Sequence, residues 1–499
     1  MKVSLTIILS FAIMAHTYAQ QITTPLEGNN YQKVTSYDEL TAFVKQLDEQ
    51  SDLLKVEVIG QSTQGRNLYA LKFSSSEFGN DKSKIKVMLH AQQHGNEQSG
   101  KEGALLLAQT LLKPENKYLF DKIDVAIIPQ MNPDGSEQNR RRNGNDMDLN
   151  RNHLVLTEPE TMVLHKFFDK YLFEVTMDVH EYFPYGGEWE KYGYRKNADV
   201  TLGVTTNPNV SEKIRVLSNT EAFSYWTKYM SINNFSSSVY APGGPPEIDY
   251  IRQSTFDVND GRQSFGIQNT LSFIQEGLNG TDSYVENIKH RAEGQMTGMR
   301  GLLEFAYLHN TDIKKMVAAD RKSLVSGKSN QKVSIQSEHV SNGQKLTLPL
   351  LSYSTKKDTV VIVNDYRPAV KSITDVQKPA GYLIPKQSKV LVEWAGRQAL
   401  TTLEFKKQKR QKIEQYFVKG IDSIDFEREI IINPVVESKE FKGEFMSSDY
   451  LYIPTAQLKG NMIVLALEPK SELSLITYKQ FAFLLKVGEA FPVLRVVKK

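Results

Sequence analysis

The chain has 499 residues, 40% of them hydrophobic and 24% charged, with 61 basic against 58 acidic side chains and no cysteine. A formal charge of +3 gives no electrostatic reason to expect nucleic acid as a partner, and the length exceeds what one ordinary core encloses, so two domains or more are expected. Without cysteine there is no disulfide, thiol nucleophile, thiolate metal ligand or N-terminal lipid anchor, and stability must come from packing.

Residues 1–19 read as a signal peptide: Lys2 supplies a positive start, Val3 to Ala15 is apolar but short for a membrane span, and Thr17-Tyr18-Ala19 offers small residues for cleavage. The expected location is therefore exported, periplasmic or secreted, with no membrane association once the signal is removed. A helix follows from Ser36, with Ser36 and Glu39 in capping-box spacing. Leu54–Ile59 and Asn67–Phe73 alternate apolar with polar residues around a glycine-bearing loop and predict a hairpin.

The apolar run Ile85 to Leu89 predicts a strand that delivers His94-Gly95-Asn96-Glu97, after which Gly100 to Leu112 has helical spacing. Three positions apart at the start of a helix, His94 and Glu97 can share one face and reach one ion. Two ligands do not hold zinc, so a third must come from elsewhere, with a fourth position left to water. His180, ending the strand-like run from Val175, is the best donor, because strand ends carry function in α/β folds.

Ile123–Pro129 predicts another buried strand, leaving through Asn132-Pro133-Asp134-Gly135 into a polar loop, Arg140 to Asn152, with four arginines. A helix around Glu158 to Tyr171, binding loops over residues 181–261 around one helix near Thr220 to Met230, and a strand Thr270–Gln275 ending at Glu276 continue the alternation. Ser283 and Glu286 are expected to cap the helix whose apolar stripe runs from Val285 to Ala306. The punctuation Gly327 to Asn330 marks a boundary, beyond which short β-type runs predominate and no catalytic constellation is found. The basic run Lys406 to Lys412 reads as a solvated face. The fold class expected is α/β, a mixed central sheet flanked by helices in residues 22–326, with a β-rich accessory domain over 330–499.

Taken in order, His94, Glu97, Asn132-Pro133-Asp134-Gly135, Asn150-Arg151-Asn152, His180 and Glu276 resemble the zinc carboxypeptidase family over roughly residues 30–310. The resemblance implies one zinc per chain on His94, Glu97 and His180, with Glu276 as general base and then proton donor to the leaving amine. It makes Arg141 the oxyanion donor, with Arg140 and Arg142 as neighbouring alternatives. Asn150 and Arg151 become the grip on the free C-terminal carboxylate of a peptide substrate, and Tyr240 the mobile tyrosine of the substrate loop, in competition with Tyr225, Tyr229 and Tyr250. Glu247, seven positions on, would face the pocket for the terminal residue if the loop keeps the family's register.

Two features depart from the family's digestive enzymes: Asn96 replaces an arginine, and only 29 positions separate Arg151 from His180. The short form is more similar to the bacterial exported branch. Alternatives to a carboxypeptidase are an amidohydrolase for N-acyl amino acids, a hydrolase of peptidoglycan stem peptides, or a non-catalytic peptide-binding module.

Overall fold

The computed structural model describes residues 22–327, 331–406 and 411–498. The expected signal peptide and the middle of the basic run after Lys406 lie outside them. Among the described residues no helix is long and apolar enough to cross a membrane.

The centre is an eight-stranded mixed sheet built from β1 (Leu54–Gln61), β2 (Asn67–Phe73), β3 (Ile85–Ala91), β4 (Ile123–Ile128) and β5 (Val175–Tyr182). After a short β6 (Tyr194–Lys196) come β7 (Val200–Val204), β8 (Ser237–Val239), the two-residue β9 (Ile251–Arg252) and β10 (Leu271–Leu278). The order across the sheet is β1-β2-β4-β3-β5-β10-β7-β8, and β4, β3, β5 and β10 run parallel. Strand alternation divides the core: on β4, Ile123, Val125 and Ile127 face one hydrophobic cluster, and Ala126 and Ile128 face another. The first cluster includes the helices Tyr37–Gln50, Gln98–Leu111 and Ile288–Leu308; the second is covered by Pro159–Tyr171. A sheet buried on both faces accounts for the unbroken apolar run of β4.

The Ser36–Glu39 capping box forms as expected. The expected Ser283–Glu286 box does not, and the helix starts at Ile288. Asp282 intervenes, its carboxylate accepting from the backbone N–H groups of Tyr284, Val285 and Glu286, while the Glu286 carboxylate turns to Thr281. The helix expected near Thr220 is longer, running from Glu212 to Ile232 through one π turn at Ser218–Ala222.

Beyond residue 330 lie β11 (Lys332–Val340), β12 (Leu346–Ser352), β13 (Asp358–Val363), β14 (Tyr366–Arg367) and β15 (Ala369–Gln377), followed by β16 (Gly381–Pro385), β17 (Gln411–Phe426), β18 (Glu429–Glu440), β19 (Tyr450–Pro454) and β20 (Ala490–Lys498). The last five make one sheet, in the order β18-β17-β20-β16-β19. This β-rich part is stitched into the first. β12 pairs with β6, β14 pairs with β9, and Trp394 donates from its indole N–H to the Leu154 carbonyl at 2.9 Å. Leu154, Val155, Val258 and Ile267 belong to the same hydrophobic cluster as Trp394, Val464 and Val493.

Candidate active site

The carboxyl ends of the parallel strands carry the site. β3 ends at Ala91, and the chain turns through His94-Gly95-Asn96-Glu97 into the helix Gln98–Leu111. Gly95 is required there by close approach: a Cβ would lie 2.2 Å from the Gly135 carbonyl carbon and 2.5 Å from the Arg140 oxygen. The turn is thereby pressed onto the Asn132-Pro133-Asp134-Gly135 segment, which begins a short helix rather than forming only a turn, with Asn132 as its cap. The Asn132 amide also donates to the carbonyls of Gln93 and Arg141, and Asp134 accepts from Ser62, Thr63 and Arg66 of the β1–β2 hairpin. His180 and Glu276 stand on β5 and β10, paired in register, so both side chains leave the same face of the sheet.

His94, Glu97 and His180 are buried and offer ligand atoms within 4.8 Å of one another. Nδ1 of His94 is 2.7 Å from one Glu97 oxygen, Nδ1 of His180 is 2.9 Å from the other, and the two nitrogens are 3.2 Å apart. Each imidazole has a carboxylate at its far nitrogen: Asp148 Oδ1 lies 3.1 Å from His94 Nε2, and Asp178 Oδ1 lies 2.9 Å from His180 Nε2. Asp148 placed so holds the proton on His94 Nε2 and leaves its Nδ1 free to coordinate, while Asp178 stands beside His180 as a charge partner. Two imidazole lone pairs and a carboxylate converging in a buried space call for a cation, and the donor set, two nitrogens and one oxygen, suits zinc. Burial alone would raise the Glu97 pKa, but the two histidines hold it down at about 2.

Behind His180 a chain of hydrogen bonds runs into the core. The Gln93 amide donates to Asp178 Oδ2 at 2.8 Å, His153 Nε2 donates to the Gln93 oxygen at 2.8 Å, and His165 Nε2 lies 3.0 Å from His153 Nδ1. Burial, the largest influence on His153, brings its pKa down to about 3 and keeps it neutral. With Nε2 donating, its Nδ1 must accept from His165, so every donor points toward Asp178.

Glu276 is 8% exposed, and burial, reinforced by Glu97 and opposed by His180, pushes its pKa up to about 7. Glu181, the next carboxylate along β5 from His180, is occupied elsewhere by Arg291 at 2.7 Å and the Ser99 N–H at 3.0 Å. Of the three consecutive arginines only Arg141 turns to the metal ligands: its Nη1 lies 3.2 Å from His94 Nδ1, while Nε and Nη2 donate to Asp148. Arg140 and Arg142 are tied to their own loop through the carbonyls of Asn143 and Asp146. Asn150 Oδ1 accepts from the Gly261 N–H at 2.7 Å, and its Nδ2 is 3.2 Å from His180 Nε2. Burial disfavours the Arg151 charge, but Asp257, Asp148 and Asp260 together outweigh it and hold the guanidinium ionised.

Tyr240 shares electrostatic surroundings with Glu276, Arg262 and Arg151. Its rivals are placed elsewhere. Tyr225 and Tyr229 stack on each other, with Tyr225 against Phe305, and Tyr250 lies between Arg367 and Arg428. Glu247 is exposed and hydrogen-bonded to Tyr194. Sequence reasoning missed Asp148, Asp178 and the Gln93–His153–His165 chain. A signal for Asp178 existed, since two positions before His180 on a strand is the same face.

Residues 40–244 match the sequence model of the zinc carboxypeptidase family. Carboxypeptidase 2 of Trichophyton rubrum is 26% identical over 271 residues, which is 50% of this chain and 49% of that protein, so the chain spans about half the length of this relative. Carboxypeptidase 2 of Trichophyton tonsurans is 22% identical over 475 residues, 87% of this chain and 81% of that protein. Among solved structures, a metallo-carboxypeptidase from Pseudomonas aeruginosa is 19% identical with a TM-score of 0.43, covering 55% of this chain and 69% of that one.

Proposed function

Because residues 40–244 match the zinc carboxypeptidase family model, we propose that the whole chain is an exported zinc carboxypeptidase that removes the C-terminal residue of a peptide. The observation that carries this reading is the convergence of His94, Glu97 and His180 on one point, with Glu276 in register beside His180. His94, Glu97 and His180 would hold a single zinc, which would supply Lewis acidity toward a water and the scissile carbonyl. Glu276 takes the proton of that water and returns it to the leaving amine, a task for which a pKa near neutrality is suited. Arg141, extending past His94, donates to the oxygen that gains charge as the carbonyl is attacked. Arg151, with Asn150 beside it, grips the free carboxylate through its planar fork and so sets which peptide bond meets the base. Tyr240 closes the cleft on the other side.

Export rests on the character of residues 1–19 and is tested by finding the mature N-terminus after Ala19 in the periplasmic or culture fraction. The activity is tested by incubating the purified chain with a mixed peptide library and reading products by mass spectrometry. Shortening from the C-terminus, lost to a chelator and restored by one equivalent of zinc, is the expected result. Shortening from the N-terminus, or cleavage within peptides whose C-termini are amidated, would overturn the reading.

A further inference from the structure

Beside Tyr240 is a cavity of about 110 Å³ lined by Tyr182, Lys196, Thr201, Tyr240, Pro242 and Leu348. It borders the proposed base: Thr201 is the backbone partner of Glu276 across β7 and β10, and Lys196 and Tyr240 both feel the Glu276 charge. Part of its wall comes from the C-terminal region, where β12 pairs Leu350 with Lys196 and so fixes the strand that presents the lysine.

Two polar groups in this cavity have bonding capacity unspent. The Lys196 ammonium donates to the Ala241 carbonyl at 2.6 Å and stands 5.0 Å from the centre of the Trp189 ring, and among the described residues no carboxylate forms an ion pair with it. An ammonium has three donors, so two remain. Arg252 makes the position more electropositive, and Glu276 opposes it. The Thr201 hydroxyl oxygen is buried with no hydrogen-bond partner. A half-buried cation without a counter-ion is unfavourable, and an orphaned hydroxyl in the same cavity wall adds to the cost. A carboxylate placed in the cavity would satisfy both, and the volume admits a short acidic side chain where it would otherwise hold a few waters.

We propose that this cavity is a substrate subsite for a carboxylate side chain, with Lys196 as its ion-pair partner and Thr201 as a second donor. The inference rests on the peptidase reading and deepens it: the substrates are peptides with glutamate or aspartate close to the bond that is cut. The contact acts on which peptide is chosen, because a rejected neutral peptide leaves the ammonium unpaired in the complex.

The test measures kcat/KM for peptides that differ only by Glu, Gln or Lys at each of the last three positions. At one position the parent protein should favour Glu over Gln by about tenfold or more, and that ratio should fall to about twofold or less in Lys196→Met while Lys196→Arg keeps most of it. Thr201→Val should reduce the ratio by a smaller factor. Absence of any Glu preference in the parent would overturn the proposal without recourse to a variant. So would a preference that persists in Lys196→Met, or an equal loss on Glu and Gln peptides, which would make the lysine an anchor for Ala241. The peptidase reading fails separately, by the absence of C-terminal shortening on every peptide in the set.

Discussion

Glu276 and His180 share adjacent positions on two parallel strands, so the proposed base and a proposed metal ligand are held by one rigid support. Glu276→Gln keeps shape and hydrogen-bonding length but cannot take a proton; kcat should drop by about 10²- to 10⁴-fold while zinc content stays at one equivalent. Turnover within a few-fold of the parent would remove Glu276 from the mechanism. The ionised form is the active one, so kcat/KM should be lost as pH falls through the Glu276 pKa. Burial sets that value at about 7 without metal, and a dication draws it lower, so the acid limb belongs at or below pH 7 and should vanish in the variant. A second prediction concerns His153, whose donation to Gln93 orients the amide that holds Asp178. His153→Phe should weaken zinc binding, measured by chelator competition, by somewhat less than the roughly 10- to 100-fold typical of direct partners of ligands, and His153→Gln should recover part of the loss. Equal zinc affinity in all three proteins would reduce the chain to packing. His94 and Glu97 were legible as candidate ligands because a His and a Glu three apart follow a strand; His153 was not, since its role depends on hydrogen bonds spanning 60 and 85 positions.

Among the elements, those with a long periodic pattern were readable: the hairpin, β3, β4, β5 and β10 all form where alternation or an apolar run predicts them. β6 and β9 were not readable, because three and two residues carry no period and these strands exist only by pairing with β12 and β14. Between these extremes lies the turn at Gly95, where a glycine in a His-Gly-Asn-Glu run is open to many explanations until the approach of Gly135 is seen. Gly95→Ala should force the two turns apart, lowering stability by about 1–3 kcal/mol and reducing zinc affinity, since one turn carries two ligands and the other leads to Arg141. A variant with unchanged Tm and unchanged metal affinity would show that the contact gives way at no cost.

At the scale of the whole molecule, we propose the segments 22–326 and 330–499 as two units joined by a shared core, not as independent bodies. A chain ending at Ser326 would uncover Leu154, Val155, Val258 and Ile267 and leave β6 without its neighbour β12. It is expected to be recovered aggregated, or to expose apolar surface to a hydrophobic dye, and co-expression with residues 330–499 should restore solubility. A monomeric, cooperative melt for the short chain alone would refute this. The change from helices to short strands was visible in the sequence, though Lys328 to Asn330 of the expected boundary lie outside the described residues; the stitching was not, because pairings between distant strands leave no local mark. The same stitching bears on time. Trp394 meets Leu154 across 240 positions, so a chain that emerges N-terminus first has all its ligands early and cannot seat the wall beside them until its last third arrives. The cleft is then completed late in the life of the nascent chain, only after the strands beyond residue 330 have been made.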